Sequence, residues 1–255
     1  MPCPKRSRTT KLVLNRASIM EAFDKKKSKK YYLVIKVGRK KGQFMQKEAV
    51  NIYVLDIKYI MEHEKDILSI LEEGEISKAR SFGIPIDYYH SLGSSYFKNL
   101  FEVETSQSCP LGAKTHNGLY YNISHSGEYV VASLCKRPVG IDIESIQRFA
   151  VKNNSTLPSP ALIDRILSED ERQHIKTAKD LCRAWTIKES IVKCQRTGID
   201  RPLKSVPAFL DCATIDGKKY YTQSIDYSDY VLSVTIQANG PFTISTIKTI
   251  GENVD

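Results

Sequence analysis

Pro138-Val139-Gly140-Ile141-Asp142-Ile143-Glu144 is the stretch on which the reading of this chain turns. β-branched residues alternate with acids, so Val139–Glu144 predicts a short strand. Side chains two apart in a strand share a face and lie about 6.5–7 Å apart. Asp142 and Glu144 therefore point the same way, with Ile141 and Ile143 on the other face. Two neighbouring carboxylates repel unless something positive lies between them. For an isolated pair of this kind, a water-facing sheet edge is the commoner explanation. The alternative is a hard cation, because Mg²⁺ takes a few carboxylates together with waters and phosphate oxygens.

Downstream, 41 residues after Glu144, stands Trp185-Thr186-Ile187-Lys188-Glu189-Ser190-Ile191-Val192-Lys193. It falls in a predicted helix over about 178–195 that ends at Gly198. Glu189 and Lys193 are four apart and share a helix face. Alone they are an ordinary surface ion pair worth a few tenths of a kcal/mol. Trp185 is read chiefly as a core residue, and Lys188 by itself as a solvated lysine. Upstream lies Asn122-Ile123-Ser124-His125-Ser126-Gly127. His125 ends a strand between two serines. By itself it is a satisfied structural histidine or, with the backbone N–H groups of the turn, a phosphate contact.

Further strands are expected at Ile52–Ile57, Leu119–Ile123, Tyr129–Cys135, Tyr220–Ile225, Tyr230–Ile236 and Phe242–Ile247, the last three as an antiparallel tail. Helical spacing marks 58–72 imperfectly and 86–102 clearly, and Ser168 to Glu171 has capping-box spacing. The fold class expected is α+β, each half placing helices on a small, mostly antiparallel sheet.

A length of 255 residues suits two similar lobes as well as one domain. The net charge of +9 is unevenly spread: residues 1–44 hold fourteen Lys and Arg against Glu21 and Asp24, and the remainder is slightly acidic. The expected organisation is a basic extension at 1–44 that is disordered or outside the fold and dispensable for catalysis. An N-terminal lobe follows at 45–137, and a C-terminal lobe with the metal site at 138–250. Within the extension only Tyr31–Val37 reads as a strand. The six cysteines form no C-x-x-C pair and have no histidine cluster beside them, so they read as reduced thiols. With no secretory pattern and no apolar run near the ~18 residues of a membrane span, a cytoplasmic protein is expected. A nucleic-acid-binding reading of the basic runs fails on the acidic body, which lacks basic residues interleaved with aromatics.

Taken together and in this order, the three motifs resemble those of the 4′-phosphopantetheinyl transferases, of the larger surfactin-synthetase-activating type. The likeness runs from about Ile52 to Val206. It implies two pseudo-symmetric α+β lobes in one monomeric chain, with coenzyme A between them. The reaction it implies moves the phosphopantetheine arm of coenzyme A to a serine of an acyl or peptidyl carrier protein and releases adenosine 3′,5′-bisphosphate. Asp142, Glu144 and Glu189 match the family's Mg²⁺ ligands, with Mn²⁺ as a substitute. Glu189 and Lys193 match its catalytic pair, Glu189 taking the serine proton directly or through a water. Lys78, His90, Lys114, Ser124, His125, Lys188 and Lys193 match positions that hold coenzyme A. Two of these depart from the pattern. His90 stands where an arginine is usual, and Lys114 follows Gly112-Ala113 rather than completing Gly-Lys-Pro. Carrier contact is expected from the 145–165 loop, with Phe149 or Val151 as the apolar anchor. The second reading is a relative that binds coenzyme A or a carrier protein without turnover. The intact acids and Lys193 speak against it.

Overall fold

Alternating β-branched residues write most of the architecture. The computed structural model describes residues 32–36 (backbone only), 48–101, 114–115, 117–152, 156–196 and 202–250. The strands are β1 (Tyr32–Lys36), β2 (Glu48–Asp56), β3 (Tyr120–Ser126), β4 (Tyr129–Cys135), β5 (Val139–Ser145), β6 (Cys212–Ile215), β7 (Lys218–Tyr227), β8 (Tyr230–Gln237) and β9 (Phe242–Ile250). The helices are α1 (Ile57–Glu62), α2 (Glu64–Leu68), α3 (Glu73–Arg80), α4 (Pro85–Leu100), α5 (Pro160–Ile166), α6 (Glu169–Arg172) and α7 (Ala178–Gln195).

The strands form two sheets, one in the order β1-β9-β2-β4-β3 and the other β5-β8-β7-β6. Val50, Ile52 and Val54 of β2 alternate into a core shared with Ile141 and Ile143 of β5 and Leu232, Val234 and Ile236 of β8. That core lies between the sheets. On the outer face of the first sheet, Leu92, Tyr96 and Phe97 of α4 pack with Leu55, Val130 and Leu134. On the outer face of the second, Leu181, Ala184, Ile187 and Ile191 of α7 pack with Phe149, Ala213 and Val231. The order of layers is thus helices, sheet, sheet, helix, an α+β arrangement as expected.

Each half repeats one path. A strand leads to helices and then to a hairpin whose second strand pairs with the first: β2, α4, β3 and β4 in one half, and β5, α7, β7 and β8 in the other, where β6 is added before the hairpin and pairs with β7. The departure is β9. It was expected to extend an antiparallel tail in the C-terminal lobe, yet it lies in the first sheet, parallel to β2 and antiparallel to β1. The sheets therefore do not divide at 138. Alternation of side chains dictates which face of a strand is buried, not which strand it joins.

β1 pairs with β9 from Tyr32↔Ile250 to Lys36↔Thr246. Its residues were included in the 1–44 extension expected outside the fold, and that expectation is corrected for these five. The expected helix over 58–72 is broken at His63 into α1 and α2. The capping boxes at Ser168 and Thr177 both form, the first opening a helix of only four residues. Helix α7 ends with Arg196 in the left-handed conformation, at φ 61°. Gly198, the expected stop, lies outside the described residues.

Candidate active site

The site lies where the free edges of the two sheets meet. Strand β3 ends one sheet and β5 ends the other, and β3 reaches across with three alternate side chains. Asn122 Oδ1 accepts the Ile141 N–H at 2.8 Å. Ser124 Oγ donates to Asp142 Oδ1 at 2.8 Å, and Ser126 Oγ to Glu144 Oε2 at 2.8 Å. The Asn-x-Ser-x-Ser spacing is thus a polar seam with the period of two that a strand imposes.

Helix α7 crosses β5 closely because Gly140 lets it. A Cβ at Gly140 would stand 2.1 Å from Ser190 O and 2.5 Å from Cys194 N. Gly140→Ala is expected to force β5 and α7 apart, at about 1–3 kcal/mol for such overpacking. If the site is catalytic, turnover should fall further than stability, because Asp142 and Glu144 move with the strand. A denaturation curve measured beside turnover checks this.

From α7, Lys193 Nζ donates to Asp142 Oδ1 at 2.6 Å and to Ser124 Oγ at 2.9 Å. Asp142 and Glu144 are 4% and 7% exposed, far from the water-facing edge that an isolated pair of acids suggests. Burial, then the neighbouring Asp142, raises the Glu144 carboxyl above its usual value, against opposing help from Ser126 and Arg148. Burial, then Asp142, likewise raises half-buried Glu189, with Lys193 opposing. Three carboxylates thus share one electrostatic environment.

The residues fit a hard divalent cation. Asp142 Oδ2 is buried and has no hydrogen-bond donor. Glu144 and Glu189 are both held above their usual values by burial and then by the charge of Asp142. Among the described residues no three of His, Cys, Asp and Glu stand together as a ready cage. Lys193 and Arg148 each hold one of the acids instead. Mg²⁺ asks little more, since it keeps several waters and needs only one or two carboxylates beside a phosphate ligand.

Of the residues expected to hold coenzyme A, Lys78, His90 and His125 line one cleft of about 160 Å³ between α3, α4 and the end of β3. Ser124 and Lys193 stand on the neighbouring face of β3, beside Asp142. Two others lie elsewhere. Lys114 sits by the start of β3, its Nζ 4.6 Å from the centre of the Tyr120 ring. At about 3.4 Å per residue, that is the far end of the strand from His125. Lys188 is fully buried and donates to Glu171 Oε2 at 2.7 Å and to the carbonyls of Leu203 and Val206. It is a structural residue, which corrects its expected place among the cofactor contacts. On a helix, residue 188 shares a face with Ala184 and Ile191, the apolar side, so the spacing could have shown this.

Arg148 and Ser126 were not expected in the site, yet both hold Glu144. Arg148 also lies over the Trp185 ring, 5.4 Å from its centre. The signal was the i,i+4 spacing from Glu144 into the short 3₁₀ helix Ile146–Phe149 that continues β5.

Comparison with known proteins agrees with this centre. Residues 138–244, from β5 through α7 to the start of β9, match the model of the 4′-phosphopantetheinyl transferase superfamily. The chain is 30% identical over 86 residues to the 4′-phosphopantetheinyl transferase Sfp of Bacillus subtilis (strain 168), covering 34% of this chain and 37% of that one. It is 33% identical over 87 residues to the 4′-phosphopantetheinyl transferase gsp of Aneurinibacillus migulanus, covering 34% and 35%. The match spans little more than a third of the length of either relative.

Proposed function

We propose that this chain is an enzyme that transfers the 4′-phosphopantetheine arm of coenzyme A to a serine of an acyl or peptidyl carrier protein, with Mg²⁺, releasing adenosine 3′,5′-bisphosphate. The observation that carries the proposal is the unpartnered buried oxygen of Asp142, a residue whose other oxygen Lys193 holds and whose charge raises Glu144 and Glu189. The superfamily match over these elements supports it.

In this reading the serine Oγ attacks the phosphorus on the pantetheine side of the coenzyme A pyrophosphate. The P–O bond to the adenosine bisphosphate breaks, and the serine proton passes to Glu189 directly or through a water. Glu189 suits the task because burial and Asp142 raise it above an ordinary carboxylate. Asp142, Glu144 and Glu189 would hold the Mg²⁺, which when bound supplies charge neutralisation at the pyrophosphate oxygens. Lys193 exchanges its contact with Asp142 for a phosphate oxygen. Lys78, His90 and His125 hold the 3′-phosphate, and Ser124 orients Asp142 and Lys193. We read the two repeated strand–helix–hairpin units as a pseudo-symmetric pair within one monomeric chain. Among the described residues no helix is long and apolar enough to cross a membrane.

The test is mass spectrometry of a panel of carrier proteins incubated with the chain, coenzyme A and Mg²⁺. One phosphopantetheine arm added to the carrier serine is the expected result, and unlabelled carriers across the panel refute the reading.

The carrier surface needs one correction. Phe149, expected as an apolar anchor, is 1% exposed and packs in the core against Trp185. Val151 is 41% exposed and lines a cleft of about 530 Å³ with Arg148 and Lys152. The anchor role passes to Val151. Val151→Ala should raise the carrier KM about five-fold, the worth of about 1 kcal/mol, with kcat unchanged. Phe149→Ala should instead cost about 3–5 kcal/mol of stability. Steady-state kinetics and urea denaturation separate the two.

A further inference from the structure

We propose that His90 and His125 form a proton-linked grip for a phosphate monoester, so that binding coenzyme A through its 3′-phosphate draws a proton onto the pair. The inference rests on the functional reading above and adds the regulation of its cofactor site.

The two rings stack with centroids 4.3 Å apart and planes at 20°. His90 is 6% exposed, and its Nε2 lies 2.9 Å from the carbonyl oxygen of Gly127. A carbonyl only accepts, so Nε2 carries the hydrogen and Nδ1 presents a bare lone pair. That Nδ1 is buried and has no hydrogen-bond partner. The nearest acid, Asp87, is 3.7 Å away, beyond hydrogen-bond reach. Both histidines line the cleft with Lys78, Lys98, Ser91 and Ser94. Neutral His90 offers an anion only a lone pair. Protonated, it offers a buried N–H in a pocket already lined by two lysines.

The charges that face the cleft are mostly positive while it is empty. Lys78 comes from α3, Lys98 from α4 and Lys193 from α7, while Asp87 on α4 is the acid on the favourable side. The ring of His125 keeps an open edge. Burial of the remainder, then His90 and Lys193, pushes it down to about 4. A phosphate dianion between the lysines and the rings reverses the sign of that field. Stacked imidazolium rings repel each other, so the pair takes one proton rather than two. An arginine at position 90 would hold its charge throughout the working pH range, whereas His90 makes the grip depend on proton supply. By linkage, one proton taken up on binding weakens affinity by up to about tenfold per unit of rising pH.

The experiment is isothermal titration of the full chain with coenzyme A near pH 7, in two buffers of different ionisation enthalpy. Dephospho-coenzyme A and inorganic phosphate serve as comparison ligands. About one proton taken up per coenzyme A, and none with dephospho-coenzyme A, is the expected result. His90→Asn should abolish the uptake. His90→Arg should abolish it while retaining coenzyme A binding, now nearly independent of pH. Equal uptake with inorganic phosphate supports the grip and adds free phosphate as a second ligand. Tight coenzyme A binding without uptake, or equal uptake with dephospho-coenzyme A, overturns this inference and leaves the transferase reading standing. Failure of coenzyme A to bind at all overturns both.

Discussion

Glu189→Gln and Asp142→Asn are each expected to lower turnover by roughly 10²–10⁴-fold, with circular dichroism unchanged. Glu189→Gln removes the proposed proton acceptor while keeping the shape of the side chain. Asp142→Asn keeps an oxygen for Ser124 but removes the charge that Lys193 pairs with and a cation would need. The two should differ in stability. Burial, then Asp142, raises the Glu189 carboxyl above its unfolded value of about 4.3. A carboxyl raised in the folded state is most favourable below its unfolded pKa, and that advantage is lost as pH rises through the folded value. At neutral pH, well above its unfolded value, Glu189 therefore opposes folding. Glu189→Gln should melt at a higher temperature than the unaltered chain at pH 7, with the difference closing at acid pH. Near-normal carrier labelling by either variant would remove these residues from the chemistry.

Lys188→Ala is expected to cost about 3–5 kcal/mol of stability, the penalty for removing one partner of a buried ion pair. Burial lowers the Lys188 ammonium and Glu171 acts against this. The pair holds because Glu171 also accepts the N–H groups of Ser168 and Ala208. Lys188 thereby ties α7 to α6 and to the segment around Leu203 and Val206. Urea denaturation should show the loss, while the protein that remains folded keeps its KM for coenzyme A. A rise in that KM without loss of stability would return Lys188 to the cofactor contacts.

These two lysines mark how far the sequence could be read. Lys188 and Lys193 sit in one motif, and five residues turn a helix through more than one full revolution. Lys193 faces β5 while Lys188 faces the core. The acids of β5 were legible because strand alternation places 142 and 144 together whatever the fold does. That they are buried was not, since nothing local says β3 will bring Ser124 and Ser126 to them. Strands β3, β4 and β5 lie within one or two residues of their expected limits at most ends, although β3 runs three residues further, through His125 to Ser126. Alternation carries that much. The destination of β9 depends on pairing partners roughly two hundred positions earlier, which no local window of sequence contains.

That pairing has a consequence for how the molecule is made. Strand β9 lies between β1 and β2, so the N-terminal sheet stays open through its middle until β9 is synthesised. Contacts of such sequence separation are formed late and slowly, because the loop must close before they reward the chain. A ribosome-bound chain stopped short of Phe242 would hold β2, β3 and β4 with one edge of β2 unpaired. Such an edge is open to adventitious strand addition. Emergence of β9 is then the event that seals this sheet.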